Sequence, residues 1–120
     1  MIDEILNLLN QSSILTDLRV WQRDEAPSGA FILKVRCRVG AHFVFQVWIN
    51  HSANHARYSY QLASRETILR WDNAPHFPGL HNFPHHLHDA KGKKVSSDLT
   101  GDLLSDLSFV LNEVEKYLET

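Results

Sequence analysis

A chain of 120 residues, 43% hydrophobic and 22% charged, can bury a core as a single domain over residues 1–120, and this balance excludes gross disorder. A lone cysteine, Cys37, excludes an intramolecular disulfide; no apolar run nears the roughly 20 residues that cross a bilayer, and the acidic start "MIDEILNLLNQSS" has the wrong sign for a signal peptide, so a soluble cytoplasmic protein is expected. The net charge of −2 hides an asymmetry: residues 96–120 carry six acids and one base, Lys116, while the remaining 95 residues carry eleven bases and eight acids.

Ile2, Ile5, Leu6 and Leu9 fall at i, i+3, i+4 and i+7, which predicts a helix over 2–10. "TDLRVWQRDE" (16–25) has strand-like spacing, and "APSG" turns the chain. The clearest alternation follows. Phe31, Leu33, Val35, Cys37 and Val39 point one way, and Ile32, Lys34, Arg36 and Arg38 the other. Gly40-Ala41 suits a two-residue hairpin turn of the Gly-X kind. "HFVFQVWIN" returns with Phe43, Phe45, Val47 and Ile49 inward. "ARYSYQLA" (56–63) and "TILRWDN" (67–73) supply a fourth and a fifth strand.

Residues 74–98 hold Pro75, Pro78, Pro84, Gly79 and Gly92, which predicts an extended loop. A loop of that length in so small a domain is functional or disordered. A final helix covers 100–119, with Leu103, Leu107, Val110, Leu111, Val114 and Leu118 as its apolar stripe and Thr100 or Asp102 as its cap. The expected fold is α+β: a five-stranded antiparallel meander over 16–73, flanked on one face by an N-terminal and a C-terminal helix. Its open face would carry Lys34, Arg36, Arg38, Gln46, Trp48 and Arg57. That set can hold a phosphate backbone and stack bases, or be an ordinary wetted surface. Trp21 and Trp48, if outward, serve equally as a homodimer patch.

"WDNAPHFPGLHNFPHHLHDAKGKK" (71–94) gathers five of the eight histidines and three of the four prolines. Imidazole moves protons at neutral pH, and prolines hold such rings at low entropic cost. Cleavage of RNA by its own 2′-hydroxyl needs a base, an acid and cations around phosphorus, and no metal. His76, His85, His86 and His88 are the candidates for the proton work. Arg70, Tyr60 and the lysines Lys91, Lys93 and Lys94 are the candidates for charge stabilisation, with Asp72 and Asn73 beside them at the strand end. The same histidines with Asp72 could instead ligate zinc or a first-row metal, although the spacing is no standard metal signature. A packed lid with satisfied histidines is the plain alternative.

Through Arg70, Trp71, Asp72, Asn73, Ala74, Pro75, His76, Pro78, Phe83, Pro84, His85, His86 and His88, the chain resembles the TumE-type toxin family. "YSYQL" (58–62) resembles the tyrosine-bearing strand ahead of that family's motif. The resemblance implies the toxin of a type II toxin–antitoxin module, a neighbouring helix-turn-helix antitoxin as partner, and action on RNA or translation. It carries site roles onto Arg70, Asp72, Asn73, His76, His85, His86 and His88. Phe77 stands where the family has a second histidine and Leu87 where it has a lysine, while His81 is extra. The resulting expectation is a metal-independent ribonuclease toxin without cofactor, with RNA and antitoxin as partners. A non-catalytic RNA-, ribosome- or protein-binding module and a metal-dependent hydrolase remain the alternatives.

Overall fold

The computed structural model describes residues 1–120 and contains two helices, α1 (Ile2–Gln11) and α2 (Leu103–Leu118). Between them run β1 (Thr16–Glu25), β2 (Phe31–Val39), β3 (Phe43–Ser52), β4 (His55–Ala63), β5 (Thr67–Asp72), β6 (His86–His88) and β7 (Lys94–Ser96). All seven strands form one antiparallel sheet in sequence order. Each strand therefore pairs with its chain neighbours, and the meander needs no crossover.

Period-2 patterning decides the two faces. Along β2, Phe31, Leu33, Val35, Cys37 and Val39 are buried while Lys34, Arg36 and Arg38 are exposed. Phe45, Val47 and Ile49 on β3 and Tyr58, Tyr60 and Leu62 on β4 continue the same buried face. Ile2, Ile5 and Leu9 of α1 and Leu107, Val110 and Val114 of α2 join them in one core. Both helices thus cover one face and leave the other without a helix. Asp3 and Glu4 in the first turn of α1 suit the positive end of its dipole. Asp102 caps α2 by accepting from the Ser105 amide at 3.2 Å. Neither helix is long and apolar enough to cross a membrane.

The expected five strands are seven. Residues 74–98 are not one continuous loop, because β6 and β7 lie within them. Each is three residues long and contributes one inward apolar side chain, Leu87 paired with Val95, too little for a visible alternation. Their turn is built by Asp89, whose Oδ1 accepts from the amides of Lys91 and Lys93, both at 2.9 Å. Val39 pairs with Phe43, so the β2–β3 connection is a three-residue loop instead of the expected two-residue turn, with Gly40 at φ +59°. The final helix begins at Leu103 and ends at Leu118, inside the expected 100–119.

The acidic character of the C-terminal region is also partly internal. Asp106 is buried and accepts from the Thr100 amide and hydroxyl and from the Gly101 amide. It ties the approach to α2 onto the helix. At the far edge β1 is exposed along nearly its whole length and carries two register shifts, which blunt an otherwise open strand edge.

Candidate active site

The register of β5 against β6 builds the site. Arg70 lies opposite His88, and Asp72 opposite His86. Trp71 and Leu87, paired between them, turn toward the core, so these four side chains share the helix-free face. Arg70 Nε donates to Asp72 Oδ2 at 3.0 Å, and its Nη2 lies 3.0 Å from His88 Nε2. His86 Nε2 lies 2.9 Å from Asp72 Oδ1 and 3.2 Å from His88 Nε2. On its other side His86 Nδ1 lies 3.0 Å from the Pro84 carbonyl. The Ala74 amide donates to Asp72 Oδ1 at 3.0 Å and fixes the carboxylate as the chain leaves β5.

The partners settle where protons sit. A guanidinium only donates, so Nε2 of His88 accepts and its proton is on Nδ1. Burial pushes the His88 pKa below its ordinary value, and the Arg70 charge pushes it the same way. Both nitrogens of His86 face acceptors, a carbonyl and a carboxylate. His86 is 2% exposed, whereas the Arg70 side chain is 37% exposed. The centre therefore meets solvent through Arg70 and His88, with Asp72 and His86 behind them. Ligand atoms of Asp72, His86 and His88 also lie within 4.8 Å of one another, close enough to share a metal ion.

His85 is elsewhere. Its Nδ1 lies 2.8 Å from the hydroxyl of Tyr58, a core residue on the helix-covered face. Burial pushes the Tyr58 pKa up, so its hydroxyl keeps its proton within the hydrogen bond to Nδ1. Burial also lowers the His85 pKa, against an opposing effect of Asp106. With His51, Arg57 and Thr100, His85 lines a cleft of about 490 Å³ at the end of the sheet.

The remaining expected residues divide in the same way. Tyr60 is fully buried in the core, its hydroxyl without a partner. Asn73 is a brace: Oδ1 accepts from the Tyr58 amide at 3.0 Å, and Nδ2 donates to the Ala56 carbonyl at 2.6 Å. His76 and His81 are exposed on the loop. Phe77, which sequence reasoning treated only as a departure, packs edge-on against His86 and His88, with ring centroids 4.9 and 6.1 Å apart. The loop is pinned at its far end by Asn82, whose amide donates to the Ser97 and Leu99 carbonyls at 2.7 and 2.8 Å.

The basic residues reach the centre by register. One cross-strand row runs Arg36, Gln46, Gln61, Arg70, His88, Lys94, and the next runs Lys34, Trp48, Ser59, Asp72, His86, Ser96. Arg36 and Arg70 are three strand spacings apart, about 14 Å at roughly 4.8 Å per spacing. Lys34, Arg36 and Arg38 are exposed, while Trp48 and Arg57 are half-buried. Arg36 also lies 5.5 Å from the ring centroid of Trp21, which is 60% exposed. Lys91 and Lys93 sit exposed in the β6–β7 turn, and Lys94 opens β7.

No curated protein and no solved structure matches the chain significantly. The sequence model of one family, described as Toxin TumE, matches residues 5–118, which takes in every strand, the whole of α2 and α1 from Ile5 onward. The chain therefore belongs to the TumE toxin family.

Proposed function

We propose that this chain is the toxin of a type II toxin–antitoxin pair, and that it cuts RNA in the cytoplasm at the Arg70–Asp72–His86–His88 centre without a metal ion. One observation carries the reading: Arg70, Asp72, His86 and His88 converge on the helix-free face, in the same cross-strand rows as Lys34, Arg36 and Trp48. The rows offer cations for the phosphates and an indole for a base. The centre offers an acceptor nitrogen beside a guanidinium.

In this reading His88 Nε2 takes the proton of the 2′-hydroxyl. The 2′-oxygen bonds to phosphorus and the bond to the 5′-oxygen breaks. Arg70, exchanging its bond to His88 for one to the phosphate, stabilises the charge that develops there. Asp72 and His86 hold both groups in place. His76, exposed on the loop whose Phe77 packs on the centre, supplies the proton for the leaving 5′-oxygen. The products are a 2′,3′-cyclic phosphate and a 5′-hydroxyl. A neighbouring helix-turn-helix antitoxin would relieve the resulting growth arrest.

Incubating the purified chain with RNA in excess chelator tests this. The expected result is cleavage leaving cyclic phosphate ends. Intact RNA, or cleavage that ceases with chelator, would contradict it. If RNA instead bound tightly and stayed whole, the chain would be a binding module.

A further inference from the structure

The Asp72–His86–His88 cluster has a hydrogen-bond imbalance that a cation resolves. The Pro84 carbonyl only accepts, so His86 Nδ1 must carry a proton. In the neutral ring, Nε2 then presents a lone pair 2.9 Å from a carboxylate oxygen of Asp72. It also lies 3.2 Å from the Nε2 of His88, itself an acceptor toward Arg70. His88 Nε2 lies 3.4 Å from the other Asp72 oxygen. Three acceptors thus face one point, which needs either an added proton or a metal ion.

The dimensions fit a metal. N and O ligands held tetrahedrally at roughly 2.0–2.1 Å stand about 3.3–3.4 Å apart. The two imidazole nitrogens stand 3.2 Å apart, and each has its own oxygen of the Asp72 carboxylate nearby, Oδ1 at 2.9 Å from His86 and Oδ2 at 3.4 Å from His88, so the carboxylate can turn either oxygen to the ion. A further feature suits ligation: the His86 Nδ1–H···O=C bond to Pro84 fixes ring and tautomer, as backbone carbonyls do behind metal-bound imidazoles. Two imidazoles and one carboxylate favour a first-row ion of zinc type over magnesium or calcium.

We propose that Asp72, His86 and His88 form a site for one divalent first-row cation of the zinc class, and that Arg70 competes with the ion for it. The guanidinium donates to two of the three ligands, Asp72 Oδ2 and His88 Nε2, and its charge repels an incoming cation. A bound ion occupies the His88 lone pair, so it silences the cleavage proposed above; this consequence alone rests on that reading. The site is then a place where metal supply and RNA cutting exclude one another.

Calorimetric titration of the metal-stripped full chain with Zn²⁺ alone tests the site, and Co²⁺ absorption reports its geometry. The expected result is one ion per chain and tetrahedral cobalt bands. His88→Ala and Asp72→Asn each weaken binding by about 100-fold, in variants whose circular dichroism matches the parent, while His81→Ala leaves it unchanged. Arg70→Gln tightens binding by about tenfold. Absence of one-to-one binding, or binding indifferent to His88→Ala and Asp72→Asn, overturns the site and leaves the metal-independent reading standing. Tighter binding absent in Arg70→Gln overturns the competition. Cleavage accelerated by Zn²⁺ overturns the silencing and the metal-independent reading together.

Discussion

His85 and His86 are adjacent in the chain and serve opposite faces of the sheet. His86 enters β6 on the helix-free face and meets Asp72 and His88. His85 turns to the helix-covered side and hydrogen-bonds the Tyr58 hydroxyl. His85 precedes β6 and points away before the strand begins, while His86 and His88 meet because they are two apart within it. A cluster of histidines in sequence is therefore not a cluster in space. Parity, not density, selects which imidazoles share a centre.

Substitutions at the centre sharpen that contrast most. Arg70→Ala removes the guanidinium from both Asp72 and His88, and RNA cleavage should fall by about 10²–10³-fold with little change in stability. Cleavage within a few-fold of the parent would break the assignment of Arg70 to the phosphate. Asp72→Ala combines two losses. It strips the acceptor from Arg70 Nε and from the Ala74 amide, so denaturant unfolding should report a destabilisation of about 1–3 kcal/mol beside the loss of cutting.

The basic rows come next in size. Replacing Lys34 and Arg36 together with glutamine should weaken RNA binding by about tenfold and flatten its salt dependence by one to two phosphate contacts, measured as log affinity against log salt. An unchanged slope would place the RNA elsewhere. On the other face, Tyr58→Phe leaves His85 Nδ1 without its hydrogen-bond partner and should cost about 1 kcal/mol while leaving cutting within a few-fold. A loss of cutting as large as that of Arg70→Ala would join the two faces into one site. Cys37 gauges all these variants. It is 2% exposed and burial pushes its thiol up to about 11, so a thiol reagent should leave it unlabelled in every variant that keeps the fold.

The sequence makes α1, α2 and β2 to β5 legible because long runs repeat their period: nine residues alternate without a break from Phe31 to Val39. The chemistry at Arg70, Asp72, His86 and His88 is legible as residue types and as a family motif. Its geometry is not. β6 and β7 are three residues each, framed by proline on one side and an Asp89 turn on the other, so neither shows a period. Without β6, nothing in the chain says that His88 stands across from Arg70 while His85 stands across the sheet. "YSYQL" points to a tyrosine at the site, but Tyr60 lies sealed in the core and Tyr58 is the one that reaches a loop imidazole. Both lie on the buried face, and only the reach of the following loop tells them apart. Asp106 reads as part of a solvated acidic helix and is instead a buried acceptor for the Thr100 and Gly101 amides, a tertiary role that charge counting does not reveal.

The account depends on one face of the sheet holding the chemistry. Its most direct test is the rate of RNA cleavage in chelator by two variants measured side by side, His88→Ala and His85→Ala. The account predicts that His88→Ala loses cleavage by at least about 10²-fold while His85→Ala stays within a few-fold of the parent. Equal losses in both, or full cleavage by His88→Ala, would contradict it.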